Sequence, residues 1–269
     1  MKIATVLHCH GNTELVLDTL DSIKTYVGED VLVLVDGSKW KEWGQYLPVE
    51  NKHCGFIHDH YPGPYKDVVF GQLKATEMWP DADWYLHTEY DALFVSDFLD
   101  DLVKFYDQNK WCLGSNWRTF DFKLPLLNDV FGWDIQETVF LMGCVQFYHA
   151  EFTQALRHID FYRRFLSATN TLTKGAFPGF KGFDVGEHLF PTVAATLGGE
   201  ERVGELSTWP DYDECVFRGE YRKYVIRYHP EIGEDDNFPE AAIFHPMKDP
   251  NNSVREYHKV KRHAKNQKS

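Results

Sequence analysis

The first 38 residues decide the fold, and residues 2–38 read KIATVLHCHGNTELVLDTLDSIKTYVGEDVLVLVDGS. Residues 2–9 are a short apolar run, residues 11–27 carry apolar side chains at helical spacing, and residues 30–38 are a second, nearly continuous apolar run. This order predicts a β-α-β unit. Strands made almost entirely of Val and Leu are typical of a parallel sheet covered by helices on both faces, so we expect an α/β fold.

The alternation of strands and helices continues to residue 117 and then becomes less regular. Residues 118–135 have no clear period and are expected to form a loop, and residues 169–183 are a Gly-rich loop. No repeat and no linker divides the chain, which favours one domain over residues 1–253. Further strands are predicted at 55–60, 83–94, 111–117, 138–149, 202–208, 222–228 and 240–245, and further helices at 65–79, 96–109, 150–166 and 184–199.

The composition describes an acidic globular protein. The 269 residues include 28 Lys or Arg and 41 Asp or Glu, a net charge of -13, and 43% of them are hydrophobic. That apolar content excludes disorder for the body of the chain, and the negative charge argues against binding to nucleic acid. Residues 254–269 are the exception, with a net charge of +5. We expect this basic tail to be frayed and solvated, with peripheral contact to anionic lipid headgroups or a partner as the alternative.

The cysteines and the amino terminus bear on the compartment. The five cysteines form no CxxC pair and stand singly among apolar residues, so we expect buried free thiols in a reducing, cytoplasmic environment. No apolar run approaches the 18 residues of a membrane span, and no signal peptide precedes the first strand. The cysteines are Cys9, Cys54, Cys112, Cys144 and Cys215.

The most informative polar residues lie in WYLHTEYDALF, residues 84–94, within the strand predicted at 83–94, which runs into a turn. Side chains two apart in a strand point to the same face, so Glu89 and Asp91 are aimed at one point beyond the strand. Two carboxylates held together either repel each other or share a cation. In open α/β sheets, ligands bind beyond the carboxyl ends of the strands. An acidic turn is the alternative interpretation.

A second candidate lies late in the chain, where IFHPMKD spans residues 243–249. His245 ends an apolar strand there, and Lys248 follows three residues later. A neutral imidazole suits Mn²⁺ and similar cations, and a Lys ammonium offers a point charge to a phosphate oxygen. In combination with the acidic pair, these residues indicate a cation and phosphate site, with a structural or solvent-facing histidine as the equal alternative.

Three further carboxylates have both a functional and a structural interpretation. Asp184 and Glu187 stand at the start of the helix predicted at 184–199, where acids also stabilise the helix dipole. One of them is a candidate general base for a hydroxyl group. Asp36 follows the second strand, where it either accepts hydrogen bonds from a ribose or base edge or shapes an Asp-Gly turn.

The order of these segments resembles the GT-A fold glycosyltransferases, which use nucleotide-sugar donors and carry a DxD motif after a hydrophobic strand. Glu89-Tyr90-Asp91 is similar to that motif in its Glu-x-Asp form, and Asp36 falls where such enzymes often contact the nucleoside. Residues 142–156, MGCVQFYHAEFTQAL, are similar to an acceptor-side segment. Residues 186–199, GEHLFPTVAATLGG, resemble the helix start that carries the base of inverting members, and FHPMKD is like their late His and Lys.

The resemblance implies a single GT-A domain with a mostly parallel sheet, in which residues 1–117 bind the nucleotide-sugar and residues 118–253 bind the acceptor. A divalent cation, Mn²⁺ or Mg²⁺, would be held by Glu89, Asp91 and His245. The activity implied is transfer of a sugar from a nucleotide-diphosphate-sugar to a hydroxyl group of a glycan or small molecule.

The resemblance also implies roles for individual residues. Lys248, His8 and Asp36 would contact the donor together with Glu89. Glu187 would act as the base of an inverting mechanism, which we favour over a retaining one, with Asp184 as the alternate base. Four aromatic side chains are candidates for stacking on an acceptor sugar, with a place in the core as the alternative: Trp117, Trp133, Phe180 and Phe183.

Two rival interpretations remain open at this stage. His8-Cys9-His10 is an HxH at the end of the first strand, as in metal-dependent hydrolases of the amidohydrolase type, whose (β/α)₈ barrel would fit in 269 residues. However, the regular strand-helix repeat that a barrel needs fails after residue 117. The other rival is a non-catalytic nucleotide or sugar binder on the same scaffold.

Overall fold

A computed structural model describes residues 1–58, 63–97, 109–121, 124–170, 186–207, 226–228 and 242–267. The strands are β1 (Ile3–Cys9), β2 (Val31–Val35), β3 (Lys52–Cys54), β4 (Trp84–Glu89), β5 (Leu93–Phe94), β6 (Cys112–Phe120), β7 (Thr138–His149), β8 (Val203–Ser207), β9 (Ile226–Tyr228) and β10 (Ile243–His245). The helices are α1 (Thr13–Tyr26), α2 (Gly63–Met78), α3 (Pro125–Phe131), α4 (Ala150–His158), α5 (Phe161–Thr169), α6 (Gly186–Gly198) and α7 (Ser253–Asn266).

Seven strands form the central sheet in the order β3-β2-β1-β4-β7-β6-β8. Strand β1 pairs in parallel with β2 and β4, and β2 pairs in parallel with β3. Strand β7 is antiparallel to both of its neighbours, β4 and β6, whereas β8 is parallel to β6. Only β7 therefore runs against the others in this sheet. The mostly parallel α/β architecture predicted from the first 38 residues is confirmed.

Alternate residues of β1 and β2 enter two different apolar clusters, one on each face of the sheet. Val6 and Leu34 pack with Val69 of α2 on one face. Leu7 packs with Val16 of α1 on the other. Both faces of the strands are buried by helices, which is why their sequences are almost uniformly apolar. Burying each such side chain contributes about 1.5–3 kcal/mol.

The strand order creates a crevice between β1 and β4. From β1 the chain places β2 and then β3 toward one edge of the sheet. It then returns through α2 and places β4 on the opposite side of β1. The connections therefore diverge beyond the carboxyl ends of β1 and β4, where open α/β sheets bind ligands. A second sheet, β5-β10-β9, brings the end of β10 to the chain segment that follows β4.

Several predicted elements differ from the observed ones. The third strand was expected at 55–60, but β3 spans Lys52–Cys54, because it pairs with β2 and β2 ends at Val35, the register partner of Cys54. The loop expected at 118–135 contains the end of β6 and the helix α3. The helix expected at 150–166 is two helices, separated near Asp160, whose φ of 55° is left-handed. The helix predicted at 96–109 falls largely on residues 98–108, outside the described part of the chain.

The expectation of a frayed basic tail is wrong. Ser253–Asn266 form the helix α7, which packs against α1. The guanidinium groups of Arg255 and Arg262 are fully buried there, and both pair with Asp18 of α1. Buried arginine needs such partners, because an unpaired charge in an apolar environment is very costly. The positive charges of this segment thus hold the end of the chain on the domain.

The cysteines agree with the prediction in part. Cys9, Cys112 and Cys144 are buried free thiols, but Cys54 is exposed, which corrects the expectation for that residue. It ends β3, a three-residue strand at the edge of the sheet, which no further strand covers in the described chain. Cys215 lies outside the described residues. None of the described helices has both the length and the apolar character needed to cross a bilayer.

Candidate functional site

Three side chains from two distant segments converge beyond the crevice. The Nε2 atom of His245 lies 3.4 Å from Glu89 Oε2 and 3.2 Å from Asp91 Oδ1. One ligand atom from each residue can be chosen so that all three lie within 4.8 Å of one another. Among the residues that the structure describes, no other group of three His, Cys, Asp or Glu side chains meets this condition. The convergence predicted for these residues is present.

The site is partly buried, and its groups shift one another's pKa. Burial by itself would raise the pKa of Asp91, but His245 and then Lys248 outweigh it, so the net pKa is lowered. Burial would lower the pKa of His245, but Cys144 and the carboxylates of Asp91 and Glu89 raise it well above the usual value. Two carboxylates thus share one imidazole, and the cluster favours a positive charge at its centre.

One atom of the cluster indicates that a cation fits there. Asp91 is 3% exposed, and its buried Oδ1 makes no hydrogen bond of regular geometry with the described residues. A carboxylate oxygen has two lone pairs, so Oδ1 can take a cation as ligand besides its ion pair with His245 Nε2 at 3.2 Å. Two carboxylates and one imidazole suit Mn²⁺ or Mg²⁺ better than a thiophilic ion.

The acidic turn is fixed by a threonine on α1 and by one glycine. The buried Thr19 hydroxyl lies 2.6 Å from the carbonyl oxygen of Tyr90 and 2.8 Å from that of Ala92. The Tyr90 ring crosses the β1–α1 turn so closely that a Cβ on Gly11 would lie 2.1 Å from it. Only glycine at position 11 leaves room for this ring. The positions of both carboxylates therefore depend on α1 as well as on β4.

The late loop is tied to the same turn. Met247 N donates to the carbonyl oxygen of Asp91 at 2.8 Å. On its other side, Arg255 Nε donates to Met247 O at 2.9 Å. Lys248, which follows Met247, is exposed, and its charge acts on Asp91. Helix α7 thus holds the segment that carries His245 and Lys248 against the acidic turn.

The candidate base Glu187 lies on the β7 side of the site. It stands in the first turn of α6, and its Oε1 accepts a hydrogen bond from Gly143 N at 2.9 Å. A Cβ on Gly143 would lie 2.7 Å from Glu187 Cγ, so glycine permits this approach. The next residue, Cys144, contacts His245. Glu187 therefore lies at the same end of the sheet as the acidic cluster, and its role as base stays a prediction. Asp184 lies outside the described residues.

Asp36 is placed at the end of β2, as predicted, but its oxygens are occupied by the backbone. Oδ1 accepts from Ser38 N at 2.7 Å, and Oδ2 accepts from His58 N at 3.2 Å. Burial would raise the pKa of Asp36, but these hydrogen bonds lower it. The side chain is only 4% exposed and shapes the turn after β2. Its contact with a nucleoside stays a prediction.

A histidine and an aspartate that sequence reasoning missed lie beside Asp36. His58 Nε2 is 2.5 Å from Asp67 Oδ2, and the rings of His58 and His10 are 5.5 Å apart. Burial would lower the pKa of His58, but Asp67 and then Asp36 raise it. The signal was present in the sequence, because His58 follows β3 and parallel strands end at the same edge.

His8 is also part of a buried polar chain that the sequence did not reveal. Its Nε2 lies 3.0 Å from Nδ1 of His87, and Nε2 of His87 lies 2.8 Å from Oε1 of Gln72. The Gln72 amide nitrogen donates to the Thr153 hydroxyl at 2.9 Å. His87 stands two residues before Glu89 in β4, and this period-2 relation was the available signal.

The hydrolase interpretation is not favoured. Strand β1 ends at Cys9, so the alternation that would aim His8 and His10 at one point stops before His10. The ring of His10 instead packs edge-on against Tyr90, with 4.7 Å between ring centres. The central sheet is open in the described chain and does not close into a barrel.

The predicted aromatic platforms are only partly described. Trp117 is on β6 and is 38% exposed. Trp133 stacks on Phe131 with 4.7 Å between ring centres. Phe180 and Phe183 lie outside the described residues. Stacking on an acceptor sugar stays a prediction.

Comparisons with known proteins found similarity in structure only. No protein-family model and no curated protein matches the sequence. A mannosyltransferase from Pyrobaculum calidifontis, solved with GDP-Man and Mn²⁺, is 18% identical, with 58% of this chain and 46% of that chain covered and a TM-score of 0.36. The galactosyltransferase LgtC, solved with donor and acceptor sugar analogs, is 11% identical, with 97% and 95% covered and a TM-score of 0.43. Mouse xyloside xylosyltransferase 1 is 13% identical, with 90% and 97% covered and a TM-score of 0.40.

Proposed function

We propose that this chain is a glycosyltransferase that moves a sugar from a nucleotide-diphosphate-sugar to a hydroxyl acceptor, with a divalent cation as cofactor. The observation that carries the proposal is the convergence of Glu89, Asp91 and His245 at the β1–β4 crevice. A cation-binding cluster at this point of an open α/β sheet suits a ligand with a phosphate group.

The proposed donor site combines the carboxylate–histidine cluster with the exposed ammonium group of Lys248. Glu89, Asp91 and His245 would hold the cation, which would stabilise the negative charge that develops on the leaving diphosphate. Lys248 is exposed beside Asp91 and adds a positive charge for a phosphate oxygen. The ends of β1 and β2, with His8 and its neighbours, are left for the nucleoside.

The acceptor lies on the opposite side in this proposal. Glu187 takes the proton of the acceptor hydroxyl as that oxygen attacks the anomeric carbon, which inverts the configuration. The hydrogen bond that Gly143 N donates to it holds the carboxylate in position. Asp184, two residues before α6, is the alternate base.

The direct test is a thermal-shift and calorimetric panel of nucleoside diphosphates with and without Mn²⁺. We expect the melting temperature to rise with UDP or GDP only when the metal is present. Asp91→Asn should abolish this rise, because it removes the negative charge and replaces one carboxylate oxygen by an NH₂ group that cannot bind a cation. Glu77→Gln removes one exposed acid of α2, which pairs only with Lys74 among the described residues, and should leave the rise unchanged. No shift with any nucleoside diphosphate in the presence of Mn²⁺ would refute the proposal.

A second experiment separates transfer from binding. Glu187→Gln should lower the turnover of sugar transfer by roughly 10²–10⁴-fold and leave the Kd of nucleoside diphosphate with Mn²⁺ nearly unchanged. A non-catalytic binder would show the metal-dependent shift without turnover in the unmodified protein. The configuration of the product, read by NMR, distinguishes inversion from retention.

A further inference from the structure

The buried chain from His8 to Thr153 has a definite direction. Gln72 is fully buried on α2, and its amide nitrogen donates to the Thr153 hydroxyl. The amide oxygen therefore faces His87, and an oxygen can only accept. Nε2 of His87 must carry the hydrogen in this contact.

The same logic fixes the hydrogen on His8. A neutral imidazole has one N–H and one bare nitrogen, so Nδ1 of His87 is an acceptor. It is paired with Nε2 of His8, which must then carry the hydrogen. Nδ1 of His8 is left as a bare acceptor, and it has no hydrogen-bond partner among the residues that the structure describes. Burial, with smaller effects of His58 and His10, lowers the pKa of His8 to about 3, so the ring stays neutral.

His8 stands where a donor nucleoside would enter. It is half-buried in the second-last position of β1 and is the register partner of Glu89 on the neighbouring strand β4. The cation cluster occupies the β4 and β10 side, and Glu187 lies beyond β7. The side of β1 and β2 is therefore the part of the crevice that remains for the base and ribose.

We propose that His8 reads the base of the donor nucleotide by accepting a hydrogen bond from a ring N–H, and that Gln72 and His87 fix the tautomer that makes this contact. The inference rests on the proposed function. Uracil and guanine carry a hydrogen on the ring nitrogen of their pairing edge, whereas cytosine and adenine have a bare nitrogen there. This N–H is also more acidic, and so a stronger donor, than an exocyclic amino group. The site thus selects uridine or guanosine diphosphate-sugars.

The selection is tested by calorimetry on the unmodified protein with Mn²⁺. We expect UDP or GDP to bind about tenfold more tightly than CDP and ADP, because an acceptor that faces another acceptor loses one hydrogen bond and remains unsatisfied. Methylation of the ring nitrogen, as in N3-methyluridine or N1-methylguanosine diphosphate, should weaken the binding of the preferred nucleotide by a similar factor. Equal binding of CDP or ADP, or no effect of the methyl group, overturns this inference and leaves the proposed function standing. Absence of all nucleotide binding refutes both.

The positioning role of Gln72 has its own measurement. In ¹⁵N-histidine-labelled protein without ligand, we expect His8 to show an unprotonated Nδ1 and a protonated Nε2, and the opposite pattern overturns the proposal. Gln72→Leu removes the amide that fixes the tautomers of His87 and His8. It should reduce the preference for UDP or GDP over CDP and ADP and leave the affinity for Mn²⁺ unchanged. Gln45→Leu is the matched control on an exposed glutamine and should keep the full preference. Unchanged preference in the Gln72 variant also overturns the proposal.

Discussion

Replacing Arg255 by Met tests the attachment of the carboxyl-terminal helix to the site. Arg255 is 1% exposed, and it donates to Asp18 at 2.5 Å and to the Met247 carbonyl at 2.9 Å. Breaking a buried ion pair from one side costs about 3–5 kcal/mol. Asp18 keeps its second partner, Arg262, so we expect the lower end, about 3 kcal/mol. Met retains the apolar stem, and the change therefore reports on the charge.

The assay is urea unfolding, with thermal unfolding as a second measurement. A loss of about 3 kcal/mol in the free energy of unfolding corresponds to a fall of roughly 6–12 °C in Tm for a chain of this size. Lys261→Met is the matched control, since it removes one positive charge from the same helix at an exposed position. Lys261 lies 4.1 Å above the Tyr257 ring, a contact worth no more than about 1 kcal/mol. If the Arg255 variant unfolds within about 1 kcal/mol of this control, the reasoning is refuted.

Three further predictions follow from single contacts. Gly143→Ala should displace Glu187, because the new Cβ would lie 2.7 Å from its Cγ. We expect a lower rate of sugar transfer and an unchanged affinity for Mn²⁺ in a metal titration. Equal losses of transfer rate and Mn²⁺ affinity would contradict this. Gly11→Ala should cost about 1–3 kcal/mol in urea unfolding, because the new Cβ collides with the Tyr90 ring, and an unchanged midpoint would contradict it. The pKa of His58 is raised above 6.5 in the fold, so its stabilisation is complete below pH 6.5 and is lost as the pH rises through the higher value. The difference in free energy of unfolding between the unmodified protein and His58→Gln should therefore shrink as the pH rises from 6 to 9. A difference that stays constant over this range would argue against it.

The parts of the fold that the sequence predicts well are those with a strong period. The sequences of β1, α1 and β2 alternate between apolar runs and helical spacing, and the structure places all three where they were expected. Strand β7 has the predicted bounds, Thr138–His149. The short edge strand β3 was misplaced, because three residues carry no period and its position is set by pairing with β2.

The carboxyl-terminal helix shows a different limit. Arg255 and Arg262 are seven residues apart, a spacing that places both on one face of a helix. Asp18 and Asp21 are three apart on α1 and meet them there. The spacing is visible in the sequence, but a basic segment ordinarily indicates a solvated surface. Burial of the two guanidinium groups depends on a partner more than 230 positions away in the sequence.

The candidate site was predictable where chemistry and strand ends coincide. Glu89, Asp91 and His245 were identified by residue type and position, and the structure brings them together. The chain from His8 through His87 to Gln72 was not found, because its members come from β1, β4 and α2 and no single motif joins them. Pairings between elements depend on how helices pack on the sheet, and a single sequence does not encode that packing in any local pattern.

The acidic charge of the chain and the position of helix α7 both bear on how the site would bind an anion. The body is strongly acidic, and two of its carboxylates stand in the crevice where the proposed diphosphate would lie, so an anion is repelled there unless a divalent cation intervenes. Among the described residues, Lys248 is the lysine whose charge acts on Asp91, and it follows Met247 in the loop that Met247 anchors. That loop is held by one backbone hydrogen bond to Asp91 and one to Arg255. The basic helix therefore contributes to the site by fixing the loop that carries His245 and Lys248, rather than by binding the anion itself.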